Sequence, residues 1–125
     1  MAGGSNIGLT INFNDPEADP EERDEEVQKL LSQMREIDAV EALERVPDPS
    51  TPEGSKSLGG FLVGMLTAQV NPINFMALLR FLSDRLVGKP IELEVEANGK
   101  KLKVTASSRE ELESAIQAAQ KFISS

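Results

Sequence analysis

The residues with the clearest capacity for chemistry form one acidic run near the start of the chain. Residues 15–26 contain eight acids and a single base, Arg23, so the segment carries a local charge of −7. Acids at alternate positions from Asp15 onward resemble the oxygen ligands of a calcium loop. Such a loop needs glycine at its sixth position for a sharp turn, and this chain has Pro20 there. We therefore expect no metal site in this run.

The same run matches the beginning of a helix. Asp19 is suited to the N-cap and Pro20 to the first helical position. Glu22 is suited to the N3 position, from which its side chain would complete a capping box with Asp19. Acids in a first helical turn also interact favourably with the helix dipole. The alternative is a docking surface for a basic partner, with these candidate residues: Asp15, Glu17, Glu21, Asp24 and Glu25.

The composition excludes several kinds of catalysis. The chain of 125 residues contains no Cys, His, Trp or Tyr, so disulfides, thiolate nucleophiles, imidazole bases and Cys/His zinc sites are impossible. Ser55, Lys56 and Ser57 could in principle provide a nucleophile and a base, but a loop rich in Pro, Ser and Gly supplies neither a fixed base nor an oxyanion hole. We expect a protein without enzymatic activity, cofactor or bound metal.

The charge and hydropathy also limit the partners. The net charge of −8 and a pI near 4.6 argue against binding to nucleic acid. The most apolar segment, Leu58–Val70, is too short to cross a bilayer, and the first residues lack the features of a signal peptide. The sequence predicts a cytoplasmic protein that does not bind membranes, with a flexible leader at 1–6 and one α+β domain at 7–125.

The first half of that domain contains three predicted elements. Strict alternation of apolar and polar residues predicts a strand over Ile7–Phe13. An apolar stripe at helical spacing predicts a helix from about Pro20 to Ile37. Ala39–Val46 fits strand or helix equally well by spacing, and we predict a strand because a β-α-β unit buries the preceding helix.

The middle of the chain contains a loop and two predicted helices. Three prolines, one glycine and three serines predict a surface loop over Pro47–Ser57. Leu58–Gln69 is predicted to be a short buried helix whose glycines permit close packing, since its glycine spacing matches no phosphate-binding motif. A further helix is predicted from Asn71 to about Val87, with Gly88 and Pro90 as its stop signal.

The last third of the chain has the strongest local signals. Ile91–Ala97, Asn98-Gly99 and Lys100–Ala106 predict a hairpin with a type I′ turn, in which the numbers of opposed residues sum to 197. That register pairs Glu with Lys on one face and apolar residues on the other. Ser108 and Glu111 then predict a capping box for a final helix. The predicted order is β-α-β-α-α-β-β-α, a single four-stranded sheet with helices mainly on one face.

Several of these segments together are similar to a known family. They are the element that ends in ERVPDPSTPEGSKSLGG, the helix FMALLRFLSDRL and the hairpin IELEVEANGKKLKVTA. With the opening strand and helix, they resemble the first type of effector-associated constant component domain of bacterial conflict systems. The resemblance implies a non-enzymatic adaptor that binds or regulates a protease-like or NTPase-like effector, and it carries over no catalytic residue.

The residues suggest where a protein partner would bind. We expect contacts from the proline-rich loop, from apolar residues outside the main helical stripe, and from any open strand edge. The candidate residues are Pro47, Pro49, Pro52, Gly54, Gly59, Gly60, Met76 and Phe81. The alternative is a small-ligand or sensor domain with a cleft near Gly59–Gly64. The identity of the partner and the formation of a homodimer are left open.

Overall fold

The computed structural model describes residues 6–47 and 61–124. Within these ranges the chain forms five strands and three α-helices. In chain order they are β1 (Ile7–Phe13), α1 (Pro20–Met34), β2 (Val40–Pro47), β3 (Phe61–Val70), α2 (Phe75–Arg85), β4 (Ile91–Ala97), β5 (Lys100–Ala106) and α3 (Arg109–Ser124). One 3₁₀ turn, Pro72–Asn74, leads into α2.

The strands form one antiparallel sheet in the order β2-β3-β1-β4-β5. Helix α1 connects β1 to β2 with β3 lying between them, and α2 connects β3 to β4 with β1 lying between them. The first six elements therefore have the topology of the split β-α-β, or ferredoxin-like, arrangement. Strand β5 and helix α3 extend this unit at one edge.

All buried strand residues lie on the same face of the sheet. Leu9 lies opposite Ala68 on one side and opposite Val95 on the other, and all three side chains are buried. The alternate residues of these strands, such as Thr10 and Thr67, are only partly buried. The apolar stripes of the three helices join the strand residues in one hydrophobic core. The α+β class is confirmed, but the prediction of four strands is wrong because there are five.

The predicted helix over Leu58–Gln69 is also wrong, because Phe61–Val70 forms strand β3. Its residues 58–60 lie outside the described ranges. β3 pairs with β1 on one side and with β2 on the other, so its backbone groups are bonded on both edges. Leu66, Ala68 and Val70 are buried at a period of two, but the apolar residues between them hide this period in the sequence. Gly64 does not serve helix packing as predicted, because it lies in this strand with a positive φ of 77°.

Other predicted elements are confirmed with small changes of boundary. The ambiguous segment before Pro47 is strand β2. The hairpin has the predicted register in all seven pairs, and the φ angles of Asn98 and Gly99, 55° and 76°, match a type I′ turn. Helix α1 ends at Met34 rather than Ile37, because the Ile37 amide closes a tight turn by donating to the Met34 carbonyl at 3.0 Å.

Gly64 fills a position that tolerates no side chain. A Cβ atom built there would lie 2.9 Å from the Phe13 carbonyl oxygen and 3.4 Å from the Arg23 Cβ atom. The φ of 77° is in addition one that residues with a Cβ rarely adopt. Gly88, just after α2, has nearly the same φ of 79°, but nothing lies within 4 Å of its Cβ position. Substitutions at the two positions would therefore share the cost of the backbone conformation, and only the one at Gly64 would add a steric clash.

We expect Gly64→Ala to destabilise the protein more than the matched control Gly88→Ala. The control substitution carries only the left-handed backbone cost of about 1–2 kcal/mol. Gly64→Ala adds a clash with a backbone atom, worth roughly a further 1–3 kcal/mol. Urea unfolding of both variants measures the difference, and equal losses would show that the strand shifts without cost at Gly64.

Candidate functional site

The free edge of β5 is the feature most suited to binding. β5 is the outermost strand of the sheet, and among the described residues it pairs with β4 alone. The two-residue turn makes Ala97 and Lys100 a hydrogen-bonded pair. From Lys100 onward, every second residue of β5 therefore directs its backbone groups to β4. The intervening residues Lys101, Lys103 and Thr105 direct their backbone N–H and C=O groups away from β4, towards the open edge.

A groove follows this edge on the core side of the sheet. Leu102 and Val104 belong to the inner face of β5, but they are only partly buried. Helix α3 presents small residues beside Val104, among them Ala115 and Ala118, and leaves an open cavity of about 500 Å³ there. The other lining residues include Thr105, Glu110, Glu111 and Ser114. Apolar surface is thus accessible next to unpaired backbone groups.

The outer face of β5 is basic. Lys101 and Lys103 lie on the uncovered face of the sheet, and Lys101 forms an ion pair with Glu94 at 3.1 Å. The hydrogen bond to Glu94, together with the charges of Glu94 and Glu96, raises the pKa of Lys101 above its ordinary value. Lys103 lies opposite Glu94 in the register, but among the described residues it has no carboxylate within ion-pair distance. Its charge is available to a partner.

The rim of the groove on α3 is acidic and held in place. The Ser107 amide and hydroxyl both donate to Glu111 Oε1, at 2.7 and 2.9 Å. The Glu111 amide donates to Ser108 Oγ at 3.2 Å, so the predicted cap at Ser108 is present, but the Glu111 carboxylate binds Ser107. The backbone and side-chain bonds from Ser107 lower the pKa of Glu111 below its ordinary value.

Three of the predicted interaction residues lie in the described ranges, namely Pro47, Met76 and Phe81. Pro47 is exposed at the end of β2, whereas these predicted residues lie outside the described ranges: Pro49, Pro52, Gly54, Gly59 and Gly60. Met76 is 39% exposed and adjoins Ile73, which is 85% exposed. Ile73 was missed because it lies in a 3₁₀ turn ahead of the helical stripe used to separate buried from exposed positions.

Phe81 lies between the core and an open cleft, and its contact with a partner stays a prediction. It is partly buried and packs against the core, and the Arg85 guanidinium lies 5.5 Å from the centre of its ring. It also lines an open cleft of about 530 Å³ between α2 and α3. Charged side chains of both signs surround that cleft, including Arg80, Asp84 and Arg109.

The acidic run divides into a helix start and a structural ion pair. Asp19 and Glu22 form the predicted capping box, with bonds of 2.8 and 3.0 Å. Glu17, Glu21 and Glu25 are exposed, and Asp15 is partly buried.

Asp24 differs from the rest of the candidate docking surface. It is only 5% exposed and forms an ion pair with Arg45 of β2. The Gln28 side chain also donates to it, at 3.2 Å. Asp24 therefore cannot contribute to an exposed docking surface, and it joins α1 to the sheet instead. The sequence does not reveal this, because Arg45 is 21 residues away in the chain.

Comparisons with known proteins identify no relative. No protein-family model, curated protein or solved structure matches this chain. Among residues 6–47 and 61–124, no group of three or more acids is placed to hold a metal ion. No helix in the same ranges has the length and apolar character needed to cross a membrane. The candidate site therefore depends on its own geometry.

Asp24→Asn is expected to destabilise the protein by about 3 kcal/mol, because it removes a carboxylate that forms an ion pair with the largely buried Arg45. Glu25→Gln, at the exposed neighbouring position, serves as the control and should change stability by less than about 0.5 kcal/mol. Urea unfolding measures both. A loss as small as that of the control would show that water replaces the carboxylate.

Glu111→Gln should reduce the free energy of unfolding at neutral pH and make it less sensitive to acid. A lowered pKa in the folded state means that the Glu111 carboxylate contributes stability above its unfolded pKa. This contribution disappears as the pH falls through the ordinary glutamate pKa of about 4.3 to the lower folded value. Urea unfolding is measured over a pH series for the wild type, for Glu111→Gln and for the control Glu113→Gln. The free energies of unfolding of the wild type and Glu111→Gln should converge in acid. A difference that is constant with pH would contradict the assignment.

Proposed function

We propose that this chain is a non-enzymatic adaptor domain that binds a protein partner by adding an extended segment of it to the edge of β5. The observation that carries the proposal is the free edge of β5 beside an accessible apolar groove. In strand addition, backbone hydrogen bonds supply affinity and pockets for alternate side chains supply specificity. Both components are present along β5.

The opposite edge of the sheet is less suited to strand addition. The pairing of β2 with β3 shifts register between Val40 and Ala42 and again between Arg45 and Pro47. Such irregularities bend an edge, and a terminal proline has no N–H to donate. β5 has no register shift against β4 over its seven residues. The proposal therefore assigns the partner to β5.

The nature of the partner follows from the family resemblance. An effector-associated domain would bind or regulate a protease-like or NTPase-like effector in a bacterial conflict or signalling system, in the cytoplasm. The residue inventory supports a non-catalytic role, because the chain has neither cysteine nor histidine. The net charge of −8 favours a protein over nucleic acid as partner.

The alternative of a small-ligand cleft near Gly59–Gly64 has less support. Gly64 is buried, and the Phe13 carbonyl occupies the space that even a methyl group would need. Gly59 and Gly60 lie outside the described residues. The binding function is therefore assigned to β5 and not to this segment.

Selection from a random peptide library, followed by NMR mapping, tests the adaptor proposal. Selected peptides should shift the amide signals of Lys101, Lys103 and Thr105 and slow their hydrogen exchange, because these amides would become bonded. Lys103→Pro removes one outward N–H and should abolish binding, whereas Lys103→Thr keeps the N–H and should retain it.

The thermal melt of Lys103→Pro establishes that the variant is folded. The proposal is overturned if the selected peptides bind Lys103→Pro as well as the wild type. It is also overturned if their NMR footprint lies on Ile73 and Met76 instead of β5.

A further inference from the structure

We infer that the segment received by β5 alternates acidic and apolar residues, with its acids on the open face of the sheet. This inference rests on the proposed strand addition and specifies the chemistry of its partner. It follows from the charges on the two faces of the β5 edge, which differ in sign.

The open face favours acids. A strand added beside β5 would place alternate side chains about 5 Å from Lys101 and Lys103. Glu94 of β4 already pairs with Lys101 at 3.1 Å, so the charge of Lys101 is largely neutralised. Lys103 has no such partner among the described residues, and its charge is therefore the one that an incoming side chain on this face meets.

The groove side disfavours acids. Side chains on that face of the added strand would enter the cavity beside Val104 and Ala115, where small or apolar groups can cover the exposed apolar surface. Glu110 and Glu111 border the same cavity. A carboxylate directed inwards would be repelled by them and would lose hydration against apolar surface. Acids are thus accepted on one face and rejected on the other.

The existing neighbour of β5 shows that this alternation fits. β4 reads Ile-Glu-Leu-Glu-Val-Glu from Ile91, with its apolar residues buried and its acids on the open face. A partner segment of the same pattern would place acids and apolar residues on the same two faces as β4 does, but at the free edge of β5. The lysines also oppose pairing between two β5 strands, because equal charges would then face each other.

Among the strands that the structure describes, a second copy of the chain offers no such segment. β4 is paired on both edges, with β1 and β5. β2 carries Glu41 and Glu44, but its two register shifts leave only a short regular stretch. The inference therefore commits to a segment of a different protein.

Fluorescence anisotropy with four labelled heptapeptides tests the inference. The acidic peptide is Glu-Leu-Glu-Val-Glu-Leu-Glu, and the basic and neutral peptides have Lys or Gln in place of Glu. The fourth, Glu-Glu-Leu-Leu-Val-Glu-Glu, has the acidic composition without the alternation. At physiological salt, where charges more than about 8 Å apart are largely screened, the acidic peptide should bind roughly tenfold more tightly than the basic one, and a further increase in salt should reduce the difference.

Two variants of the protein locate the effect. The double variant Lys101→Gln/Lys103→Gln should bind the acidic and neutral peptides equally, which would assign the preference to these lysines. Lys103→Pro should weaken the alternating peptides whatever their charge. Circular dichroism melts of both variants establish that they are folded.

The outcomes separate the charge preference from strand addition. Equal binding of the acidic and basic peptides, with sensitivity to Lys103→Pro, overturns the charge preference and leaves strand addition standing. Equal binding of the acidic and non-alternating peptides overturns the alternation. Binding unaffected by Lys103→Pro overturns both the inference and the proposed function. Self-association of the wild type that Lys103→Pro abolishes would show that a second copy occupies the edge, which also overturns the inference.

Discussion

The structure depends on the burial of one face of a five-stranded sheet. Strand β1 is at the centre, and its four alternate apolar residues, from Ile7 to Phe13, are almost completely buried. Side chains alternate at a period of two, so a slip of one residue would move the whole apolar set to the open face. The registers of β3 and β4 against β1 are the ones that place Ala68 and Val95 beside Leu9. The core thus specifies the sheet, and the sheet specifies where the three helices can pack.

The sheet has two edge strands, β2 and β5, and they differ in regularity and in their contacts with the helices. β2 is joined to α1 through the ion pair between Asp24 and Arg45, and its pairing is irregular at both ends. β5 is regular, and the residues of α3 nearest to it are small. Lysines on an edge strand discourage pairing with an identical strand. They do so by charge, and the same charge favours a partner of opposite sign.

The appended hairpin strand and final helix create the candidate site. The split β-α-β unit ends with β4, and β5 continues the sheet by one strand. Helix α3 packs against β5 but leaves Val104 partly exposed, because alanine and serine face that strand. The bonds from Ser107 to Glu111 secure the beginning of this helix and so the rim of the groove. The accessible apolar surface therefore follows from residue size on one helix.

The amino-acid sequence by itself determined the features that depend on residues close together in the chain. The register of the β4–β5 hairpin followed from Asn98-Gly99, since a two-residue turn leaves one pairing for the strands. The cap of α1 followed from the spacing of Asp19 and Glu22, and strand β1 followed from its strict alternation.

Features that depend on distant contacts were decided only by the tertiary structure. The segment around Gly64 is a strand because β1 and β2 supply hydrogen bonds on both sides, whereas its glycines are interpreted from the sequence as the contact points of a closely packed helix. Asp24 is buried because Arg45 approaches it from another element, so its sequence neighbours indicated a solvated acid. The free edge of β5 exists because β1 and not β5 occupies the centre of the sheet. Strand order is set by the packing of the whole core, and no local pattern of residues encodes it.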